Sequence, residues 1–180
     1  VWAPGTPGLN GRATDGLTAA DAGCICPPDA GAGQFNYLTR FDTVQSVAGA
    51  AFLIDILWIN SGLVVTTTTA QAIAAPVSLP ARDLNGTTDG LGVQMGILVT
   101  TATTNAGAIT NMTASYTNSN GNAGNTATVA SYPATAVIGT LVPFRLAAGD
   151  VGVRSVQSVT LGTSLGAGAV SLVLYRILDI

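Results

Sequence analysis

Asn111–Ala130 reads NMTASYTNSNGNAGNTATVA. Met112, Ala114 and Tyr116 alternate with Thr113, Ser115 and Thr117, the period of a strand with one apolar and one polar face. Asn118–Gly124, NSNGNAG, tolerates positive φ and closes tight turns. Beyond it, Thr126 and Thr128 alternate with Ala127 and Val129. Two alternating runs about such a turn predict a β-hairpin. The same grammar recurs along most of the chain, which predicts an all-β protein.

Upstream, Ser46–Asn60 (SVAGAAFLIDILWIN) is the strongest hydrophobic segment. Strict alternation puts Phe52, Ile54, Ile56 and Trp58 on one face of Phe52–Asn60 and Leu53, Asp55, Leu57 and Ile59 on the other. Apolar groups on both faces predict a strand buried on both sides. Gln45–Leu57 also has tolerable helical spacing, but the β-branched and aromatic content favours a strand. Asp55 then needs a partner, an arginine by preference.

Leu63–Gln71 (LVVTTTTAQ) reads as a strand with a threonine face, Leu79–Gly92 as a loop, and Val93–Thr101 as a strand. Downstream, Tyr132–Ala136 crosses to a strand at Val137–Leu146. Val153–Leu161 and Ala169–Leu178 read as a last hairpin about Gly162–Gly168, its second strand apolar on both faces and therefore central. About eight strands at this spacing predict a β-sandwich, jelly-roll-like, with a closed barrel as the alternative. No internal repeat points to a solenoid.

Residues 1–40 differ. They are rich in Gly, Pro and Asp, and Pro4, Pro7, Pro27 and Pro28 forbid continuous ladders. They read as an extended N-terminal arm before a sandwich domain at 41–180. Trp2, Leu9, Leu17 and Ile25 are either anchors for neighbouring subunits or points on a loosely held terminus; Leu17–Ala22 has room for one helical turn. The packed body begins around Gln34–Thr43, QFNYLTRFDT. Cys24 and Cys26 are too few, without histidine, for a zinc site in one chain. They read as buried thiols or as a link to another subunit.

Charged residues are 8% of the 180, against about 25% in ordinary soluble domains. There is no Lys, Glu or His. The outer surface must therefore be built from Thr, Ser, Asn, Ala and Gly, which other subunits can cover at little desolvation cost. That surface fits an assembly component, or else a monomer with a threonine-rich skin. The net charge of −3 and the lack of a basic stripe argue against nucleic acid as a partner. No apolar run approaches the roughly 20 residues of a membrane helix. No secretory signal opens the chain, and its start at Val1 fits either loss of the initiator or a trimmed precursor.

The missing residue types also bear on catalysis. Without His the usual general base and metal ligand are gone, and without Lys so is Schiff-base chemistry. A glycosidase can run on two aspartates, but the nine Asp fall mostly in turn-like contexts. A non-enzymatic protein is expected, with no catalytic, cofactor-binding or metal-binding residues. Asp83–Gly90 (DLNGTTDG) clusters oxygen ligands but lacks EF-hand spacing, so an Asx-stabilised turn is expected over a calcium site. Asn85-Gly86-Thr87 and Asn111-Met112-Thr113 match the glycosylation sequon, as chance allows in such a composition.

Four stretches carry a resemblance. Leu79–Asp83 (LPARD) with Asn85–Thr87 (NGT), Ser115–Ser119 (SYTNS) with Gly121 and Ala123-Gly124, Ala148–Val159 (AGDVGVRSVQSV), and Leu174–Arg176 (LYR) resemble motifs of structural proteins of tailed bacteriophages. The likeness spans roughly Thr39–Arg176. It implies a virion part, in first place a capsid decoration (cement) protein on the capsid exterior, assembled in the host cytoplasm. Its partners are then the major capsid protein and two further copies in a homotrimer. The alternatives are a tail, neck or fibre component, and a carbohydrate-binding sandwich with Trp58, Phe35, Tyr37 and Phe41 as a sugar platform.

Overall fold

A computed structural model describes residues 52–73 and 77–179, together with 12–13 and 32. The described chain forms nine strands and no helix: β1 (Arg12–Ala13), β2 (Leu53–Asn60), β3 (Ala70–Ala72), β4 (Gln94–Thr101), β5 (Thr113–Asn118), β6 (Asn125–Val129), β7 (Leu141–Arg145), β8 (Val153–Thr160) and β9 (Ala169–Asp179). The expected helical turn at Leu17–Ala22, the two cysteines and the arm boundary near residue 40 lie outside the described residues.

The alternating stretch forms the predicted hairpin. β5 pairs with β6 in the register Ala114↔Ala127 and Ser115↔Thr126, with Ala114 and Tyr116 buried on the inner face. Around it the pairs nest: β4 with β7, β3 with β8, and β2 with β9, all antiparallel. Side by side, the strands run β1-β2-β9-β4-β7-β6-β5-β8-β3. This nesting is the jelly-roll pattern. The junction of β6 and β7 is only two residue pairs long, Thr128↔Arg145 and Val129↔Phe144. There the sheet curls into two halves, β2-β9-β4-β7 and β3-β8-β5-β6. One core fills the space between them, drawing Met95, Ile97, Leu172 and Leu174 from one half and Ala114, Tyr116, Val156 and Val159 from the other. The protein is an all-β sandwich, as its strand pattern predicts.

Four local expectations are corrected. First, a bulge between Ile56 and Trp58 resets the alternation of β2. Leu57 and Trp58 both enter the main core, while Ile54, Ile56 and Ile59 share the opposite face. Second, Leu63–Gln71 is not a strand; only Ala70–Ala72 pairs. Val65 and Thr66 turn, and the Gln71 amide accepts from Val64 N at 2.7 Å and donates to Val64 O at 3.1 Å. A side chain there supplies the bonds that a partner strand would have given. Third, Val137–Thr140 closes as a turn, Thr140 N to Val137 O at 3.2 Å, and the strand begins at Leu141.

Fourth, β8 and β9 are not a hairpin. β8 lies between β5 and β3, and β9 between β2 and β4. The segment between them crosses from one half to the other. Leu161 and Leu165, both buried, plug the end of the core on the way. β9 is central, as expected. Of the strongest apolar segment, Leu53–Leu57 is strand rather than helix.

Candidate functional site

The four stretches that carry the resemblance meet at one end of the sandwich. Their loops are tied by backbone hydrogen bonds. Leu91 bridges Gly152, Gly92 N donates to Val151 O at 2.9 Å, and Ser119 N donates to Gly152 O at 2.9 Å. The β9 stretch joins through Arg176, whose Nη1 donates to Asp83 O at 3.3 Å. The β2 strand joins through the expected arginine: Asp55 pairs with Arg82 Nη2 at 3.1 Å, both side chains half-buried.

Asp83 organises the first loop. Its side chain is buried, and it accepts five hydrogen bonds. Oδ1 takes Asn85 N at 3.0 Å and Thr87 N at 2.6 Å. Oδ2 takes Thr87 Oγ1 at 2.7 Å, Gly90 N at 3.0 Å and Leu91 N at 3.2 Å. Burial raises its pKa, but the bonds from Thr87, Asn85 and Leu91 outweigh that and hold the carboxyl below the ordinary aspartate value. The second carboxylate of the loop, Asp89, faces Arg154 at 3.4 Å on the surface. Among the described residues no group of three or more His, Cys, Asp or Glu converges as a metal site. Oxygen lone pairs already committed to backbone donors are poor calcium ligands. EDTA is therefore expected to leave the melting temperature unchanged; a drop of several degrees restored by calcium would contradict the geometry.

The second anchor escaped the sequence reading. Tyr116, fully buried, donates its hydroxyl proton to Asp150 Oδ2 and accepts from Ala147 N at 2.9 Å. Asn118 Nδ2 donates to Asp150 Oδ1 at 2.7 Å, while its own Oδ1 caps the hairpin turn at Asn120 N and Asn122 N. Two inward residues of β5 thus fix both the hairpin turn and the Ala147–Asp150 turn. The tyrosine pKa is pushed up to about 12, by burial first and then by the bond to Asp150. Tyr116→Phe leaves Ala147 N unpaired and Asp150 with one donor fewer. A loss of roughly 1.5–3 kcal/mol is expected in urea unfolding; equal midpoints for the two proteins would show that the hydroxyl contributes nothing.

What this end offers to a partner is apolar and neutral. Leu84 and Val151 stand exposed at 65% and 55%, and Phe52, Ile177 and Leu178 are exposed where β2 begins and β9 ends. Arg82, Arg154, Arg176, Asp55, Asp83, Asp89 and Asp150 are all engaged within the chain. Beside the loops runs an open groove of about 760 Å³, walled by Thr88, Thr117, Arg154, Ser155 and Gln157 over Leu79 and Val156. The outward face of β5, β6 and β8 carries Thr113, Ser115, Thr117, Thr126, Thr128, Ser158 and Thr160.

Trp58 does not serve a sugar platform. Trp58 is 1% exposed inside the core, and among the described residues no aromatic lines the groove; Phe35, Tyr37 and Phe41 lie outside the described residues. Among the described residues no helix is long and apolar enough to cross a membrane. With fold and site defined as a jelly-roll sandwich bearing a rigid end of three loops, no protein-family model, no curated protein and no solved structure matches the chain.

Proposed function

We propose that this chain is a non-enzymatic structural protein of a tailed-phage virion, a decoration protein that binds between major capsid subunits on the outside of the head. The tailed-phage assignment rests on the sequence resemblance. The observation that carries the assembly role is the end of the sandwich: its charges are spent on internal pairs, its loops are braced against one another, and it presents Leu84 and Val151 to solvent. A rigid, charge-poor, partly apolar surface binds by excluding water, at little cost in ordering. Self-association as a homotrimer and docking on the major capsid protein are the partners in this reading, with neither nucleic acid nor membrane involved.

Attachment by apolar burial and backbone hydrogen bonds is weakly screened, whereas exposed charges lose their reach beyond about 10 Å at 0.1 M salt. Purified protein mixed with undecorated heads is expected to pellet with them from low to molar sodium chloride. Steady release as salt rises would refute the binding mode, and failure to pellet at any salt would refute the decoration role. A glycan array run in parallel separates this reading from a carbohydrate-binding sandwich.

A further inference from the structure

Arg176 differs from the other two arginines at this end of the sandwich. Arg82 and Arg154 each face a carboxylate, Asp55 at 3.1 Å and Asp89 at 3.4 Å. Arg176 lies directly across from Asp55 in the register of β2 and β9, yet the contact made by Asp55 goes to Arg82. Arg176 is engaged through a carbonyl instead: its Nη1 makes one long bond to Asp83 O at 3.3 Å. Its Nε is buried and has no hydrogen-bond partner, and among the described residues no carboxylate lies within ion-pair distance of it. The Asp83 carboxylate is not available to it, because five donors of its own loop already fill both oxygens. That internal contact therefore leaves a half-buried cation without a counter-ion in contact.

Holding a charge away from water without a partner is costly, and an incoming carboxylate offsets that cost. A guanidinium also presents five donors in a rigid fork, which matches the two oxygens of a carboxylate. The surroundings suit such a contact. Leu84 follows Asp83, and Leu178 lies two residues beyond Arg176 on the same side of β9; both side chains are exposed. An arginine flanked by apolar groups that exclude water is the usual make-up of an interface hot spot. We infer that Arg176 anchors the docking end by taking the carboxylate of one Asp or Glu side chain of the partner, with apolar side chains of that partner closing over Leu84 and Leu178. The inference rests on the docking role proposed above and gives its partner a chemistry. It agrees with attachment that survives salt, because a half-buried pair is screened far less than an exposed one.

The test extends the pelleting assay with undecorated heads and uses the full chain. Arg176→Gln is expected to weaken binding by about tenfold or more. Arg145→Gln, at an exposed arginine beside Thr128 on the outward face of β7, is expected to leave it unchanged. Melting temperatures of both variants separate lost binding from lost folding. A further variant reads the partner directly. The chain contains no Lys, so Arg176→Lys keeps the positive charge and introduces the only side-chain amine. On decorated heads treated with a water-soluble carbodiimide, that amine condenses with a carboxylate in contact, losing water to form an amide that mass spectrometry maps. The expected product joins position 176 to an Asp or Glu of the major capsid subunit. Equal binding by Arg176→Gln and wild type, or coupling of position 176 only to carboxylates of this chain or to nothing, would overturn the inference and leave the docking role standing. Failure of the wild-type chain to pellet would overturn the docking role and the inference with it.

Discussion

Asp83→Ala is expected to destabilise the protein by roughly 3–5 kcal/mol, the largest loss of any single polar side chain described. Five donors converge on that carboxylate, four of them backbone N–H groups of Asn85, Thr87, Gly90 and Leu91. Alanine leaves them without that acceptor, and the buried Gly90 N and half-buried Leu91 N carry the largest desolvation cost. At about 2–4 °C per kcal/mol for a chain of this size, the melting temperature should fall by about 10 °C or more. Asp83→Asn should also fall, because the amide nitrogen meets donors rather than acceptors. The pH dependence has a definite sign. The folded pKa lies below the unfolded value of about 3.9. The stability from ionised Asp83 is therefore fully present above that value and lost as pH falls through the folded pKa. Wild type should weaken in that acid window while Asp83→Asn shows a shallower dependence. Equal thermal midpoints for wild type and the alanine variant would remove Asp83 from its organising role.

Gly152→Ala is expected to cost about 3 kcal/mol or more. The backbones of Gly90 and Gly152 touch where Leu91 bridges Gly152, and a methyl group on Gly152 would overlap the Gly90 carbonyl oxygen. Backbone sits on both sides of the overlap, so no flexible side chain can yield. The variant should unfold at lower urea and, in the proposed role, lose capsid binding, because the loops at this end move apart. Gly107→Ala is the control: open space surrounds that position and the change should be nearly neutral. An alanine at 152 as stable as the control would mean that the loops are not braced as described.

Periodicity made much of this fold legible. Thr113–Val129 announced a hairpin because alternation and turn residues agreed, and the doubly apolar β9 announced its central place. The errors have physical causes. The bulge at Leu57 is invisible to a strict period of two. The run Val64–Thr69 has high β-propensity, yet the Gln71 side chain satisfies the backbone at Val64 and no strand pairs there. Leu165, an apolar residue in a supposed hairpin loop, was the available sign that β8 and β9 part company. At the candidate site, Asp83 was legible as a turn-forming aspartate. Asp150 as the partner of Tyr116 was not, because thirty-four residues separate them and only the nested topology brings them together. Apolar residues on both faces of β2 and β9 implied burial on both faces, and Ile59, Val173 and Tyr175 are indeed buried on the outer one.

An electron-microscopy map of the intact phage particle tests the central claim most directly. The account predicts a jelly-roll sandwich on the outer surface of the head, in three copies about the capsid threefold positions, with the end bearing Leu84 and Val151 against major capsid subunits. Density for this chain in the tail or neck, or particles that lack it altogether, would contradict the account.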